Sequence, residues 1–245
     1  MTRGANMVVC LSLVLAIEIS NPSAWTPASK ALPGVAIGRV GSGAVTALDK
    51  ESIDPTKLHD DDVLPAIDRL FCRNKLSNSD VSRIAVSIGP GGFTATRIAV
   101  TVAKFIAEAA RAECVGVASA AVAFACVESQ PGQTLVLLAA KGETIHCTRY
   151  SPTRKELGVP GINSAADVDL ANVTLIIADR FAPESLRKRA LENGIEVREP
   201  MFDPCRLLAI QHEFSMCDPL NLAPIYPREP EAVTKWRELK RLGKK

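Results

Sequence analysis

Apolar residues along the chain follow two spacings, which together predict an alternation of strands and helices. Continuous apolar runs, the form of strands buried on both faces, occupy residues 8–19 and 84–88. Recurrence at three- and four-residue steps predicts helices over residues 57–71 and 94–111. Pro65 falls inside the first of these, so we expect a kink or a late helix start there. The alternation predicts a layered α/β architecture.

Further short segments continue this alternation on both sides of residue 113. The turn-forming residues 41–43 lie between two β-prone runs and predict a hairpin that follows the first strand. The later chain predicts strands at 115–118, 135–139, 144–150, 175–178 and 195–197, and helices at 119–128 and 183–193. The similar order of hairpin and helix before and after residue 113 indicates two related lobes.

The apolar run near the N-terminus has two interpretations. Residues 7–17 follow Arg3 and precede Asn21-Pro-Ser-Ala, an outline that loosely fits a signal peptide. The run is too short to span a bilayer as a helix, and it ends in the charged residue Glu18. We favour a buried first strand, preceded by a short extension, with Met1 or Met7 as the start.

Composition indicates a folded protein and narrows the chemistry. The chain has 245 residues, 47% of them apolar, and a formal net charge of +2, which excludes a disordered chain. Its seven cysteines form no C-x-x-C pair and lie mostly in apolar stretches. This pattern is typical of reduced thiols in a cytoplasmic protein and argues against a disulfide framework or a zinc ribbon. A thiol catalyst remains an alternative.

A glycine-rich segment, Gly89-Pro-Gly-Gly-Phe-Thr-Ala-Thr-Arg-Ile, joins a predicted strand to a predicted helix. Such a turn can expose backbone N–H groups that hold a phosphate at the start of the helix. It can equally be a tight turn in which glycine permits positive φ and close packing. Neither a Walker lysine nor G-x-G-x-x-G spacing is present, so the standard nucleotide motifs do not apply. Thr94 is a candidate N-cap.

This segment resembles the G-P-G-S-F-T-G-x-R-I signature of the TsaB (YeaZ-like) family of tRNA threonylcarbamoyladenosine biosynthesis proteins. Other motifs of that family occur in the same order, so the resemblance spans about residues 8–228. They are Leu15-Ala-Ile-Glu-Ile-Ser20, His59 with Val63-Leu-Pro65, Val115-Gly-Val-Ala-Ser119, Lys141-Gly-Glu143 and Pro224-Ile-Tyr-Pro-Arg228.

The resemblance implies an α/β, two-lobed actin-like ATPase fold (ASKHA, ribonuclease H-like) with mixed sheets flanked by helices. We expect an N-terminal lobe over residues 1–113, a C-terminal lobe over 114–228 and a basic tail over 229–245. The implied function is that of a non-catalytic scaffold, which binds the transferase TsaD and the ATPase TsaE to support N6-threonylcarbamoyladenosine (t6A) formation in tRNA. ATP and metal are then expected on the partner subunits, with no cofactor on this chain.

Four positions depart from the family pattern. Glu18 replaces an aspartate, Gly92 a serine, Ala95 a glycine, and Leu138 the aspartate of a D-A-R motif. Leu138 cannot serve as a carboxylate, which argues against ATP chemistry on this chain alone.

The histidines separate this chain from the metal-bearing transferase. The TsaD metal is held by an H-x-x-x-H helix, whose two histidines share one face. Here Val63 stands four residues after His59, and His146 and His212 form no such pair. We therefore expect no metal site. The enzyme alternatives on the same fold are a glycoprotease-like peptidase or an ATP-hydrolysing enzyme; a non-enzyme alternative is a self-associating, chaperone-like dimer.

The resemblance implies that the helices at 57–71 and 94–111 contact TsaD. A homodimer through the same helices, when the chain is alone, is the alternative. Small residues of the second helix would allow close helix–helix approach. The predicted partner-binding residues are His59, Val63, Ile67, Gly89, Pro90, Gly91, Phe93, Thr94, Arg97, Ile98, Ala99, Val102 and Ala103.

The C-terminal tail is basic. Residues 235–245 carry a local charge of +5, which leaves −3 on the rest of the chain. We favour a solvated, frayed terminus. The alternative is weak, sequence-independent contact with tRNA phosphates through Lys235, Arg237, Lys240, Arg241, Lys244 and Lys245.

Overall fold

The computed structural model of the chain describes residues 12–22, 32–41, 45–54, 63–229, 231–241 and 243. The strands within these residues are β1 (Leu13–Glu18), β2 (Gly34–Val40), β3 (Val45–Ser52), β4 (Val81–Ser87), β5 (Glu113–Val117), β6 (Gln133–Lys141), β7 (Thr144–Tyr150), β8 (Glu156–Ser164), β9 (Val173–Ala178), β10 (Glu196–Arg198) and β11 (Met216–Cys217). The helices are α1 (Val63–Asn74), α2 (Phe93–Ala110), α3 (Ser119–Ala125), α4 (Glu184–Glu192), α5 (Pro204–Ile210) and α6 (Glu231–Arg241).

The strands form two mixed sheets, which confirms the predicted α/β architecture. The first sheet has the order β11-β5-β4-β1-β2-β3, and the second has the order β10-β9-β6-β7-β8. β1 pairs antiparallel with β2 and parallel with β4. β2 and β3 form the predicted hairpin. In the second sheet, β6 pairs parallel with β9 and antiparallel with β7.

The two predicted helices of the first half are present with shifted ends. α1 begins at Val63, so Pro65 lies in its first turn, where a missing N–H breaks no intrahelical bond. Residues 57–62 of the predicted helix lie outside the described residues, so the expected kink or late start stays a prediction. The N-cap of α2 is Gly92, which has no side chain to cap the helix. The prediction of Thr94 as the N-cap is therefore wrong.

Three elements and the state of the tail differ from the sequence-based expectation. β8, α5 and β11 were not predicted, although Asp203 caps α5 by accepting a hydrogen bond from the Cys205 N–H at 2.9 Å. The favoured frayed tail is wrong over residues 235–241, because these lie in the helix α6; they are exposed, as a solvated tail would be. The predicted first strand is present as β1, and residues 8–11 lie outside the described residues.

Buried apolar residues pack on both faces of the first sheet. One cluster packs α1 and α2 against it, and a second fills the space between the two sheets with residues such as Val14, Leu138 and Leu207. A third packs α4 against the second sheet.

The chain does not divide between the sheets at residue 113. β5, which begins there, belongs to the first sheet. α5 and β11 also return to it from the later chain: β11 is an edge strand of the first sheet, and α5 packs on its strands β1–β3. Over the described ranges, no helix has both the length and the apolar character needed to cross a bilayer.

Candidate functional site

The glycine loop between β4 and α2 packs tightly against the end of β1. A Cβ added at Gly91 would lie 2.1 Å from the Ser20 carbonyl oxygen and 2.8 Å from Asn21 Nδ2. The Gly92 N–H donates to the same carbonyl at 2.8 Å. Gly89 has φ of 94°. These contacts favour the tight turn over the phosphate cradle, since the loop meets protein atoms at close range.

A buried polar cluster lies beneath this loop, at the carboxyl ends of β1, β4 and β5. Ser20 Oγ donates to Glu18 Oε1 at 2.7 Å, and it accepts from Ser87 Oγ at 3.1 Å and Ser119 Oγ at 2.8 Å. All four side chains are fully buried. Burial raises the pKa of the Glu18 carboxyl, and Glu18 Oε2 has no hydrogen-bond partner among the described residues. The cluster is therefore an internal network built around a carboxyl that favours its protonated form.

Two described positions stand where the resemblance implies carboxylates for a metal–nucleotide complex, and neither offers an accessible carboxylate. Leu138 is fully buried and belongs to the apolar cluster between the sheets. Glu18, the other departure at an acidic position, is enclosed by serines. Across the described part of the chain, no group of three His, Cys, Asp or Glu side chains converges to hold a metal ion. The residues present thus do not fit a metal-bound nucleotide.

Burial governs three of the described candidate bases and nucleophiles. His146 lies on β7, is buried, and has a pKa lowered by that burial. His212 is exposed, and His59 lies outside the described residues. Burial also raises the pKa of the Cys114 and Cys126 thiols to about 12. These surroundings disfavour both a serine–histidine pair and a thiolate nucleophile.

Several predicted partner-binding residues lie in the core. Val63 and Ile67 on α1, and Ala99, Val102 and Ala103 on α2, are at most 9% exposed and belong to the cluster beneath these helices. The small residues of α2 therefore let it approach the sheet, and their prediction as direct surface contacts is corrected. Gly89 and Pro90 are also buried.

Other predicted residues do reach the surface at the start of α2. Phe93 is 55% exposed, and Thr94 and Arg97 are exposed beside it. The Arg97 guanidinium lies 5.1 Å from the centre of the Phe93 ring. The centre of the Tyr226 ring lies 5.3 Å from the centre of the same Phe93 ring. Gly91 and Ile98 are half-buried.

Two exposed apolar residues on these helices were not predicted as contacts. Leu64 on α1 is 58% exposed, and Phe105 on α2 is 73% exposed. Phe105 follows the apolar spacing of α2, so the sequence places it on the core stripe with Val102 and Ile106. The helical spacing alone does not show where the edge of the buried face falls.

The fold and the buried cluster define an actin-like α/β protein, and comparison with known proteins gives its family. The family described as TsaD, tRNA N6-adenosine threonylcarbamoyltransferase, matches residues 53–216, which is more than half of the chain. The chain belongs to this family.

Two mycobacterial relatives match most of the chain. Uncharacterized protein Rv3421c of Mycobacterium tuberculosis is 28% identical over 225 residues, covering 91% of this chain and 95% of its own. Uncharacterized protein ML0378 of Mycobacterium leprae is 26% identical over 223 residues, covering 91% and 56% respectively.

The fold is that of YeaZ, a TsaB-like protein. YeaZ from Pseudomonas aeruginosa aligns with a TM-score of 0.63 at 17% identity, over 88% of this chain and 100% of its own. An uncharacterized Pseudomonas aeruginosa protein, described as similar to peptidase YeaZ, aligns with a TM-score of 0.65 at 17% identity, over 89% and 100%.

Proposed function

We propose that this chain is a non-catalytic scaffold that binds a TsaD-type transferase and a TsaE-type ATPase to support t6A formation in tRNA. ATP and metal then act on the partner subunits, and the complex works in the cytoplasm. Family membership and the YeaZ-like fold support the connection to t6A. The observation that carries the partner-binding role is an exposed apolar face on α1 and α2.

This α1–α2 face consists of Leu64, Phe93 and Phe105, each more than half exposed. A groove of about 320 Å³ runs beside Leu64 and Phe71, and a second of about 260 Å³ runs beside Arg97 and Ile98. Large exposed apolar side chains beside grooves are typical of protein–protein contacts, where aromatic anchors enter pockets on the partner.

The buried cluster supports the non-catalytic role. Leu138 fills the core where the resemblance implies a carboxylate, and Glu18 accepts its hydrogen bonds inside the protein. Ser20, Ser87 and Ser119 are fully buried, so their hydroxyls do not reach a substrate in this structure. These side chains stabilise the junction of β1, β4 and β5.

Replacing Phe105 with alanine tests the α1–α2 face. The ring exposes about 150 Å² at 73% exposure, given roughly 200 Å² for a whole phenylalanine. Burying that area at about 25 cal/mol/Å² contributes at most about 4 kcal/mol. After the costs of ordering, we expect Phe105→Ala to weaken binding to the transferase by about 10- to 100-fold in calorimetric titration.

Leu191→Ala is the matched control, because Leu191 is 78% exposed on α4, away from this face. Both substitutions are at the surface, so we expect neither to change the melting temperature by more than a typical surface substitution does. Equal affinity of Phe105→Ala and wild type, or equal losses in the two variants, would contradict the proposed contact. Sedimentation of the chain without transferase tests the alternative of a homodimer through the same helices.

We also propose weak tRNA contact through α6. Lys235, Arg237, Lys240 and Arg241 are exposed on this helix, and Lys244 and Lys245 lie outside the described residues. Deleting residues 235–245 should lower tRNA affinity and reduce the slope of log K against log salt by about 0.7–0.9 per lost phosphate contact. An unchanged slope would remove this part of the proposal.

A further inference from the structure

Two cysteines face each other across a strand pairing in the first sheet. Cys217 on β11 lies directly opposite Cys114 on β5 in the antiparallel register. Directly opposite residues of such a pair have Cα atoms about 4.5–5.5 Å apart, which is inside the range of about 4.4–6.8 Å that a disulfide spans. The further cysteine on a described strand, Cys147, lies opposite Leu137 and Gly161 instead.

The two side chains lie on the same face of the sheet. Directly opposite residues of an antiparallel pair project to one face. Cys114 belongs to the apolar cluster beneath α1 and α2, and Cys217 packs against the same cluster. Burial first, and then the nearby Cys217 side chain, raises the pKa of the Cys114 thiol to about 12. Register and packing therefore bring together two thiols that are free in this structure.

The two thiols differ in their access to solvent. Cys114 is fully buried, whereas Cys217 is half-buried on the edge strand. A dissolved oxidant reaches Cys217 first, and Cys114 then has to reach only Cys217. This order suits a two-step thiol–disulfide exchange, in which the inner thiol resolves a mixed disulfide on the outer one.

We propose that Cys114 and Cys217 are a redox modification site, which forms a reversible disulfide by exchange with a small glutathione-type disulfide. The Cys217 thiolate attacks one sulfur of the oxidant, and one glutathione leaves as a thiolate. The Cys114 thiolate then attacks Cys217 Sγ, and the second glutathione leaves. The cysteine pair loses two electrons and two protons, and the oxidant takes them up as two glutathione thiols.

The disulfide fastens the last part of the chain to the first sheet. β11 has two residues and lies at the sheet edge beside β5. After it, Leu222 packs in the apolar cluster, and the Ile225 N–H donates to the Ile88 carbonyl at 2.7 Å. The bond closes a long loop, which restricts the unfolded chain and so stabilises the docked segment. This inference does not depend on the proposed scaffold function.

The surroundings of the pair set the rate of the exchange. Burial also raises the pKa of the Cys217 thiol. The charged groups near the two thiols are Lys104 and Glu108 on α2 and Asp218 after β11. Since the thiolate is the nucleophile and both pKa values are raised, we expect slow exchange at pH 7 and about tenfold faster exchange at pH 8.

Disulfide mapping of the full, folded chain tests the proposal. The chain is incubated with oxidised glutathione, alkylated and digested with trypsin, and the linked peptides are fragmented in a mass spectrometer. Fragmentation is needed because Cys114 and Cys126 lie on one tryptic peptide, residues 112–141. We expect a link between Cys114 and Cys217 as the main intramolecular disulfide, and its loss on adding dithiothreitol. The oxidised chain should melt about 4–16 °C higher than the reduced chain.

Two serine variants provide the controls. Cys217→Ser should lose both the link and the rise in melting temperature. Cys147→Ser is the matched control, because Cys147 is also half-buried but lies in the second sheet, and it should keep both. If Cys217→Ser does not fold, oxidised and dithiothreitol-treated wild type give the same comparison. An unresolved glutathione adduct on Cys217, a mixture of cysteine pairs, or an oxidised chain that melts no higher than the reduced one would overturn the proposal.

Discussion

Replacing Gly91 with alanine tests how the glycine loop is held against β1. The new Cβ would lie 2.1 Å from the Ser20 carbonyl oxygen, well inside any contact that a real Cβ makes. That oxygen accepts the Gly92 N–H at 2.8 Å, and the Ser20 side chain is fixed in the buried cluster. The loop must therefore move away from β1.

The expected loss follows from these contacts. An unpaired buried Ser20 carbonyl costs about 1–3 kcal/mol, and forcing apart a packed region costs about 1–3 kcal/mol more. Alanine restricts the unfolded chain more than glycine does, which stabilises the folded state by about 0.4–1 kcal/mol. The net loss of about 3 kcal/mol lowers the melting temperature by roughly 6–12 °C in a chain of this length.

Thermal and urea unfolding followed by circular dichroism measure this loss. Gly92→Ser, in the same loop, is the control: a Cβ there meets Pro22 Cδ at 3.4 Å, an ordinary contact, and serine is a favourable N-cap for α2. We expect Gly92→Ser to change the free energy of unfolding by less than about 0.5 kcal/mol. Equal stabilities of the two variants would refute the packing argument.

Three further substitutions test the buried positions. Because burial raises the pKa of Glu18 above 4.5, the folded protein keeps a proton that the unfolded chain releases, so stability falls as pH rises above 4.5. Glu18→Gln should remove that fall, giving a stability advantage over wild type that grows from pH 4 to 8 in urea titrations. Leu138→Asp should cost about 4 kcal/mol or more in the same assay, because it buries an unpaired charge. Ala103→Trp should lower the melting temperature strongly, because position 103 is fully buried and has no room for an indole ring. Any loss of partner binding in this variant would then follow from the loss of stability.

Strands with continuous apolar runs could be predicted from the sequence, and irregular ones could not. β4 and β9 contain the predicted apolar segments almost entirely, and β7, whose sequence is not continuously apolar, also occupies the predicted residues 144–150. β8 contains Gly158, Pro160 and Gly161, which weaken any strand pattern; it forms because β7 offers a free edge to pair with. α5 is short, yet Asp203 followed by Pro204 is a recognisable helix start.

The candidate site was only partly predictable, for a reason visible on α2. The glycine loop is identifiable from its residues, but its close approach to Ser20 depends on a contact between distant parts of the chain. Helical spacing predicts one apolar stripe that contains both Ala103, which is fully buried, and Phe105, which is 73% exposed. The sheet beneath α2 decides which residues of the stripe remain at the surface, and no local pattern carries that information.

Reconstituted threonylcarbamoyl transfer to tRNA tests the proposed scaffold most directly. The assay supplies tRNA, ATP and an activated threonylcarbamoyl donor, and it compares this chain alone, a TsaD-type transferase with a TsaE-type ATPase, and the complete mixture. The proposal predicts modified tRNA only in the complete mixture, with a strong reduction when Phe105→Ala replaces the wild-type chain. Transfer by this chain alone, or equal transfer by the partners in its absence, would contradict the scaffold function.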